Sequence, residues 1–323
     1  MEDKIILTIC IALLIIIILL IFAGNYFYNF SLNPNISKDK VFDSNKNFGS
    51  EVVKKDETSG EDGEEDREWI LNTSKYNDIY IKSFDDLNLH GYQILYTNNS
   101  QKWVVMVHGY TGEGMRMGSR AKAFYEMGYN IVIPDLRGHG KSEGNYIGMG
   151  WHDRKDIIEW INYIVNKDKE SEILLYGISM GASTVMMTSG ENLPSNVKAI
   201  IEDCGYTSAW DEFSYQLKSM FKLPKFPIMY AASVITKMKS GYFLKEASAI
   251  KQVSKSKTPI LFIHGEEDKF VPYFMLDKVY NAAKCEKEIL IVKEAGHCKA
   301  HKVNPDLYWN TIKKFVDKYI NSV

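Results

Sequence analysis

Apolar and polar positions divide the chain into three stretches with different patterns. Residues 5–23 form a single apolar run, after which the chain turns polar and acidic without sustained periodicity. Beyond residue 69, short apolar runs alternate with segments of helical periodicity. The pattern predicts three parts: a transmembrane anchor over residues 1–24, a polar, acidic, disordered linker over 25–68 and a folded domain over 69–323.

The folded part reads as an α/β domain with eight strands and intervening helices. Most of the predicted strands are short, nearly continuous apolar runs, as expected for parallel strands buried on both faces. Their bounds are Ile79–Lys82, Leu89–Tyr96, Trp103–Val107, Asn130–Ile133, Ile173–Tyr176, Lys198–Ile201, Pro259–Ile263 and Ile289–Val292. Helices are predicted over 119–127, 153–166, 180–188, 272–283 and 305–320. This alternation predicts a mostly parallel, doubly wound sheet.

A segment of about fifty residues, 206–256, interrupts the alternation. Two helical stretches rich in apolar and aromatic residues fall within it, and prolines separate them. The segment predicts a helical cap over the functional edge of the sheet. Its aromatic residues could form either a substrate wall or the cap's own small core; they are Trp210, Phe213, Phe221 and Phe226.

The N-terminal apolar run has the length of a membrane span. At 1.5 Å per residue, the helix over residues 5–23 would span about 28 Å. The alternative is a cleaved signal peptide, but its apolar region would be shorter and would end in small residues, whereas bulky aromatic residues follow here. We therefore predict an uncleaved single-pass anchor that determines location and not chemistry. Positive charge is denser on the N-terminal side, near Lys4, which favours a catalytic domain outside the cytoplasm.

Composition and charge argue against several classes of function. A net charge of −2 gives no electrostatic reason to expect a nucleic-acid partner. The four cysteines are scattered and include no C-x-x-C pair, so neither a metal site nor a disulfide framework is expected. A disulfide bridge between Cys285 and Cys298 is the one conceivable pairing, and it is disfavoured.

The most informative motif is Gly177-Ile178-Ser179-Met180-Gly181, between a predicted strand and a predicted helix. Such a G-x-S-x-G turn exposes a serine hydroxyl above the sheet, and a histidine and a carboxylate must then follow along the chain. Ser179 is the expected nucleophile, and Asp268 and His297 follow the last two strands, at the edge where sites form in open α/β sheets. Asp203 is the alternative acid. His301, four residues beyond His297, is more simply a surface residue.

A tetrahedral intermediate also needs hydrogen-bond donors for its oxyanion. The backbone N–H groups of Met180 and Tyr110 are the expected donors. His108 and His139 are expected to hydrogen-bond the backbone, and Arg137 to brace loops through a carboxylate. Met115 and Met117 could line an acyl pocket or pack in the core.

Several motifs together resemble those of α/β-hydrolase-fold serine hydrolases, in the group that contains serine aminopeptidase-like, monoacylglycerol-lipase-like and esterase members. They are His108-Gly109-Tyr110, Asp135-Leu136-Arg137-Gly138-His139-Gly140, the G-x-S-x-G turn, Gly265-x-x-Asp268-x-x-Val271-Pro272 and Gly296-His297. Glu202-Asp203-Cys204-Gly205-Tyr206 also resembles bacterial, often membrane-anchored members. The resemblance implies the α/β-hydrolase fold, a serine nucleophile, and no metal or organic cofactor.

The expected activity is hydrolysis of a carboxylic ester with an apolar, lipid-like acyl group. A peptidase that recognises a free amino terminus would be expected to offer a cluster of carboxylates, which the cap sequence lacks. The alternatives are a peptidase or amidase and, less favoured, an acyltransferase or a non-catalytic binding protein on the same fold.

Overall fold

The structure is a computed structural model that describes residues 1–37 and 64–320, so most of the predicted linker lies outside the described residues. The strands are β1 (Asn77–Lys82), β2 (Asn88–Ile94), β3 (Lys102–Val107), β4 (Asn130–Pro134), β5 (Glu172–Ile178), β6 (Val197–Asp203), β7 (Ile260–Gly265) and β8 (Lys287–Val292). The helices are α1 (Glu2–Leu32), α2 (Glu64–Asn72), α3 (Gly118–Glu126), α4 (Asp153–Lys167), α5 (Met180–Thr188), α6 (Ala209–Phe221), α7 (Ile228–Ser240), α8 (Ala249–Val253), α9 (Phe274–Ala282), α10 (Ala300–Val303) and α11 (Pro305–Tyr319).

The eight strands form one sheet in the order β1-β2-β4-β3-β5-β6-β7-β8. β2 pairs antiparallel with β1 and with β4, and all the remaining neighbours pair in parallel. The predicted eight-stranded, mostly parallel sheet is therefore confirmed.

The inner strands of the sheet are buried on both faces, which explains their nearly continuous apolar sequences. In β3, Val105 and Val107 belong to one hydrophobic cluster, whereas Val104 and Met106 belong to the other. Because successive side chains of a strand point to opposite faces, both sets must be apolar when helices cover both sides. The carboxyl ends of the parallel strands then meet at one edge of the sheet.

Helix α1 runs past the predicted end of the anchor and into the domain. It continues unbroken to Leu32, and its buried residues Gly24, Tyr28 and Leu32 recur every four positions along one face. That face packs on α7: a Cβ on Gly24 would lie 2.8 Å from the carbonyl carbon of Ala231. Residues 25–32 thus belong to the helix and not to the linker, because their packing against the cap stabilises helical structure that the sequence pattern did not indicate.

Among the described residues, α1 alone has the length and apolar composition needed to cross a membrane. Its residues from 2 to 19 are exposed, and its first buried residue is Gly24. A membrane anchor and a signal sequence share these properties.

The folded domain begins earlier than residue 69, because α2 starts at Glu64 and buries Ile70. The insertion between β6 and β7 contains α6 and α7, as predicted, followed by the short α8. Ser208 caps α6 by accepting a hydrogen bond from the N–H of Asp211. Contacts between α7 and α1 then bring the insertion and the N-terminal helix together.

Candidate active site

Ser179 lies between β5 and α5, in the turn that the motif predicts. Its backbone has φ 55° and ψ −117°, a conformation that an L-residue adopts only when its surroundings enforce it. A Cβ on Gly177 would lie 2.2 Å from the carbonyl oxygen of Gly181, and a Cβ on Gly181 would lie 2.0 Å from that of Val107. Both glycines are therefore required for the close approach of backbones that holds the serine at the edge of the sheet.

The structure brings Ser179, His297 and Asp268 into a hydrogen-bonded chain. Ser179 Oγ lies 2.8 Å from His297 Nε2, and His297 Nδ1 lies 2.7 Å from Asp268 Oδ2. The other carboxylate oxygen of Asp268 accepts hydrogen bonds from the N–H groups of Phe270 and Val271. These contacts orient the carboxylate toward the histidine, and all three side chains are buried.

Electrostatics favour the charged forms of the acid and the histidine. Burial alone would raise the pKa of Asp268, but the neighbouring imidazoles of His297 and His264 outweigh burial and hold it at about 2. Burial alone would lower the pKa of His297, but the Asp268 carboxylate raises it well above its usual value. The pair can therefore hold a proton taken from the serine as an ion pair.

A second histidine, His264, also contacts the acid, and the sequence analysis did not single it out. Its Nε2 lies 2.9 Å from the carbonyl oxygen of Val271 and 3.3 Å from Asp268 Oδ2. The spacing from His264 to Asp268, four residues across the end of β7, was the available signal. Sequence alone could not show that the turn after β7 folds back toward the strand.

The alternative acid and histidine have other partners. Asp203 Oδ2 accepts a hydrogen bond from the Tyr308 hydroxyl, and the Asp203 carbonyl accepts one from the N–H of Ser179. His301 is buried, not a surface residue, because it packs beside Arg120, with 3.1 Å between His301 Nδ1 and Arg120 Nη2. Neither residue takes part in the Ser179 chain.

The two expected oxyanion donors lie at the same cavity as the serine. Met180 is the first residue of α5, so its N–H has no acceptor within the helix. Tyr110, from the loop after β3, lines the cavity together with Ser179 and Met180. The Tyr110 hydroxyl donates a hydrogen bond of 2.6 Å to the carbonyl of Ser31 in α1.

The cavity above Ser179 is largely apolar, and its wall comes from two distant parts of the chain. The end of α1 contributes Phe27, Tyr28, Phe30, Ser31 and Leu32. The cap contributes Tyr206, Glu212, Phe213, Gln216, Leu217, Met220, Phe221, Met229, Ala232, Thr236 and Leu244. The last two turns of α1, which the sequence analysis assigned to the linker, therefore line the same space as the candidate nucleophile.

Of the four predicted cap aromatics, two line the cavity, one packs within the cap and Phe226 does neither. Phe213 and Phe221 line the cavity. Trp210 instead packs edge-on against Tyr230, and Phe226 is 74% exposed. The substrate-wall interpretation thus applies to two of the four residues.

Glu212 is an acidic side chain in this otherwise apolar wall. Burial raises its pKa to about 8, so it is largely protonated at neutral pH in the empty cavity. Its Oε1 accepts a hydrogen bond from Gln216, whereas its buried Oε2 has no partner among the described residues. Oε2 is therefore free to contact a polar group of a bound molecule.

The remaining candidates from the sequence stabilise the loops around the site. His108 contacts the Gly109 carbonyl and accepts a hydrogen bond from the Leu136 N–H, and His139 contacts the Arg137 carbonyl. Arg137 forms ion pairs with Asp85 and Asp156, as expected for a brace between loops. Met115 and Met117 are buried in the hydrophobic core.

One group of side chains has the composition of a metal site. Cys204, His297 and Cys298 bring ligand atoms within 4.8 Å of one another. Burial raises the pKa of both thiols, which disfavours the thiolate that a metal needs. Both nitrogens of His297 are also engaged by Ser179 and Asp268. A metal ion here would have to displace the serine contact, so the residues present do not fit a metal-dependent reaction.

A serine at a strained strand-to-helix turn, with a histidine and an acid after later strands of a mostly parallel sheet, defines the α/β-hydrolase fold. The family model described as serine aminopeptidase, S33, matches residues 98–224. YqkD of Bacillus subtilis is 24% identical over 278 residues, which cover 86% of this chain and 90% of that protein.

Two further proteins are similar. The thermostable monoacylglycerol lipase of Bacillus sp. strain H-257 is 23% identical over 65% of this chain and 88% of its own. The structure of the Pyrococcus furiosus esterase Pf2001 matches with a TM-score of 0.61 at 22% identity, covering 77% of this chain and 92% of that one. The chain therefore has the α/β-hydrolase fold and is similar to esterases, lipases and peptidases, and the resemblance seen in the sequence is confirmed.

Proposed function

We propose that the protein is a membrane-anchored serine hydrolase that cleaves carboxylic esters with an apolar acyl group. The observation that carries this proposal is the contact of 2.8 Å between Ser179 Oγ and His297 Nε2 at an apolar cavity. A general base within hydrogen-bond reach is what a serine needs to become a nucleophile near neutral pH.

The mechanism follows from the contacts of the three side chains. Ser179 Oγ attacks the ester carbonyl while its proton passes to His297 Nε2, and Asp268 stabilises the resulting imidazolium. The N–H groups of Tyr110 and Met180 hold the oxyanion, each worth about 3–4 kcal/mol in the barrier. The imidazolium then donates its proton to the departing alcohol and leaves an acyl-enzyme. Water attacks that acyl group with His297 as base, which releases the acid and restores Ser179.

The apolar wall favours esters of fatty or other apolar acids. Aromatic and aliphatic side chains from α1, α6 and α7 surround the space beside Ser179. An apolar acyl chain would gain roughly 0.8 kcal/mol per buried methylene group there. The similar lipase and esterase support the same class of substrate.

A second candidate function is peptide or amide hydrolysis, which Glu212 and the serine aminopeptidase description favour. A carboxylate in the cavity could bind the free amino group of a peptide substrate. Because burial raises the pKa of Glu212 to about 8, its charge develops fully only above that pH unless an amine is bound. Glu212→Gln should therefore reduce turnover of an aminoacyl amide strongly and that of a simple ester little. Glu246, a partly buried glutamate outside the cavity lining, provides a matched control as Glu246→Gln.

The membrane anchor is part of this proposal, with the domain on the outer face of a cell membrane. The exposed apolar part of α1 has the length of a span, and the continuation of the same helix packs on the cap. Protease protection in intact cells tests the orientation, and the intact mass of the mature protein tests whether residues 1–24 are retained. Protection of the domain from external protease would contradict the outward orientation. Loss of residues 1–24 from the mature protein would contradict the uncleaved anchor.

The decisive experiment measures hydrolysis of p-nitrophenyl esters of increasing chain length by the full chain and by Ser179→Ala. We expect loss of roughly six orders of magnitude in kcat on removal of the nucleophile, with unchanged folding. Labelling by a fluorophosphonate probe should disappear in the same variant. Labelling without ester turnover would shift the conclusion to amide substrates. Absence of both would favour a binding protein on this fold.

A further inference from the structure

Two histidines share one oxygen of the candidate acid. Asp268 Oδ1 accepts hydrogen bonds from the N–H groups of Phe270 and Val271. Its other oxygen, Oδ2, lies 2.7 Å from His297 Nδ1 and also 3.3 Å from His264 Nε2. A triad needs only the first of these imidazoles, so the second calls for a role of its own.

The neighbours of His264 fix which of its nitrogens carries hydrogen. Nε2 lies 2.9 Å from the carbonyl oxygen of Val271, in addition to its contact with Asp268. Both neighbours are acceptors, so Nε2 must be protonated and donates to them. Val271 in turn donates its N–H to Asp268. His264 therefore holds the acid and the turn that follows it against the end of β7.

Glu202, on the neighbouring strand β6, is a second acid near His264. β6 and β7 pair in parallel with Glu202 opposite Phe262, and alternate residues of a strand share a face, so His264 lies on the same face one step along. His264 Nδ1 and Glu202 Oε1 are buried and have no hydrogen-bond partner among the described residues. Glu202 therefore supplies a nearby acceptor for a second proton on His264.

The charges around His264 favour its protonated form. Burial alone would lower the pKa of His264, but the carboxyl groups of Asp268 and Glu202 outweigh burial and raise it. Burial raises the pKa of Glu202 to about 8, and the His264 imidazole opposes that rise. The ring of Tyr273 also faces His264, with 6.2 Å between the ring centroids, and is uncharged at neutral pH.

A second cation on the same carboxylate changes the basicity of His297. Paired with Asp268 alone, a buried imidazolium at position 297 would be held tightly, because nothing else would draw on the carboxylate. A positive charge on His264 repels that imidazolium and takes up part of the attraction of the carboxylate. The neutral form of His297, which has to accept the serine proton, is thereby favoured.

We propose that His264 is a positioning residue that carries a positive charge, shares the Asp268 carboxylate with His297 and so keeps His297 free to accept the proton of Ser179. The inference rests on the proposed serine hydrolysis and deepens it. His264 acts through Asp268 and does not touch the substrate. Its charge sets the pH at which His297 becomes a base.

The test measures the rate of fluorophosphonate labelling of the full-length protein as a function of pH, because labelling of Ser179 requires neutral His297 but no particular ester. His264→Gln keeps an N–H donor and cannot carry a charge. His264→Leu removes both the donor and the charge. The matched control is His301→Gln, which replaces another buried histidine; burial lowers the pKa of His301 to about 3, so it is already neutral.

We expect the acid limb of the His264→Gln profile to move up by about one pH unit, because His297 then holds its proton more tightly. Labelling below the limb should fall about tenfold. His264→Leu should show the same shift with a lower plateau, since it also loses the donor. His301→Gln should keep the limb of the wild type.

Two results would overturn the inference alone: an unmoved limb in His264→Gln, or a shift to lower pH. A purely structural role for His264 would give the first of these, with slower labelling at every pH. A wild-type protein that is labelled but cleaves no ester would contradict the proposed ester hydrolysis, and its labelling profile would still decide the inference. A wild-type protein that is not labelled at any pH would overturn both.

A second measurement uses the unsubstituted protein and does not depend on reactivity. The full chain is labelled with 15N-histidine, and the His264 imidazole is identified in magnetic resonance spectra by its contact with the Tyr273 ring. At pH 7, above the ordinary histidine pKa of about 6.5, both nitrogens of His264 should still be protonated. A neutral His264 at that pH, with hydrogen on Nε2 alone, would overturn the inference.

Discussion

The candidate triad and the cavity wall beside it are built in opposite ways. Ser179, Asp268 and His297 follow the carboxyl ends of the parallel strands β5, β7 and β8, so the order of the sheet brings them together. The cavity wall combines the end of α1 with the cap, which follows about 200 residues later in the sequence. Contacts such as that between Tyr28 and Ser240 hold the two together. The comparison teaches that the candidate triad rests on local turns, whereas the cavity beside it rests on the docking of a helix that resembles a simple anchor.

The largest effect should come from the acid of the triad. Asp268→Asn should reduce kcat by about four orders of magnitude, because the histidine loses its orientation and its counter-charge. The Asp268 carboxylate raises the pKa of His297, and catalysis needs the neutral base. Its removal should therefore lower the pKa of His297 and move the acid limb of the pH profile to lower pH.

Asp203→Asn is the matched control for that prediction. Its carboxylate accepts a hydrogen bond from Tyr308 and does not contact His297 in the structure. The variant should keep the position of the acid limb. A shift of that limb in Asp203→Asn, with none in Asp268→Asn, would exchange the roles of the two acids.

Removal of α1 should change the cavity wall and leave the candidate triad in place. A chain of residues 64–323 should lose about a hundredfold in kcat/KM for long-chain esters, because two or more large apolar side chains leave the wall at roughly 1.5–3 kcal/mol each. A chain of residues 24–323 keeps the last turns of α1 and should keep that preference. Circular dichroism checks that both chains fold, and equal rates for the two would show that α1 contributes nothing to the site.

A single substitution should loosen the wall without removing it. Gly24→Leu places a side chain where even a Cβ would lie 2.8 Å from the carbonyl of Ala231, so α1 must move away from α7. We expect the ratio of octanoate to acetate hydrolysis to fall roughly tenfold, a loss of about 1.4 kcal/mol. Leu19→Phe adds bulk at a position that is 61% exposed on the same helix and should leave the ratio unchanged.

The smallest expected effect concerns the hydrogen bond that joins the two regions. Tyr110→Phe removes the donor to the Ser31 carbonyl but keeps the backbone N–H proposed for the oxyanion. Stability should fall by about 1 kcal/mol, and kcat for short esters should stay within about twofold. A loss of kcat as large as that of a missing oxyanion donor would assign the hydroxyl a direct role in the reaction.

The fold and the triad could be predicted because their signals are local. Each signal lies within a few residues of a strand end: the glycines of the G-x-S-x-G turn, Asp268 four residues after His264, and the Gly296-His297 pair. The wall could not be predicted, because nothing in residues 24–32 indicates which surface they contact. The small residue Gly24 permits close packing of helices, but only the position of α7 shows that this packing occurs.

The same reasoning explains the error at His301. Its position four residues after His297 suggested a surface helix, and the sequence does not reveal that Arg120, far away in the chain, lies beside it. Long-range pairs of this kind have no periodic signature. Short strands buried on both faces do have one, and the inner parallel strands were found from it.

The last turns of α1 also decide what a secreted form of this protein would be. A protease that released the domain from the cell by cutting after Leu32 would leave behind the aromatic side chains of residues 27–30. The released domain would carry its triad under an open trough instead of a walled cavity. Shedding would therefore not relocate the protein unchanged: it would release a domain whose cavity has lost one of its walls.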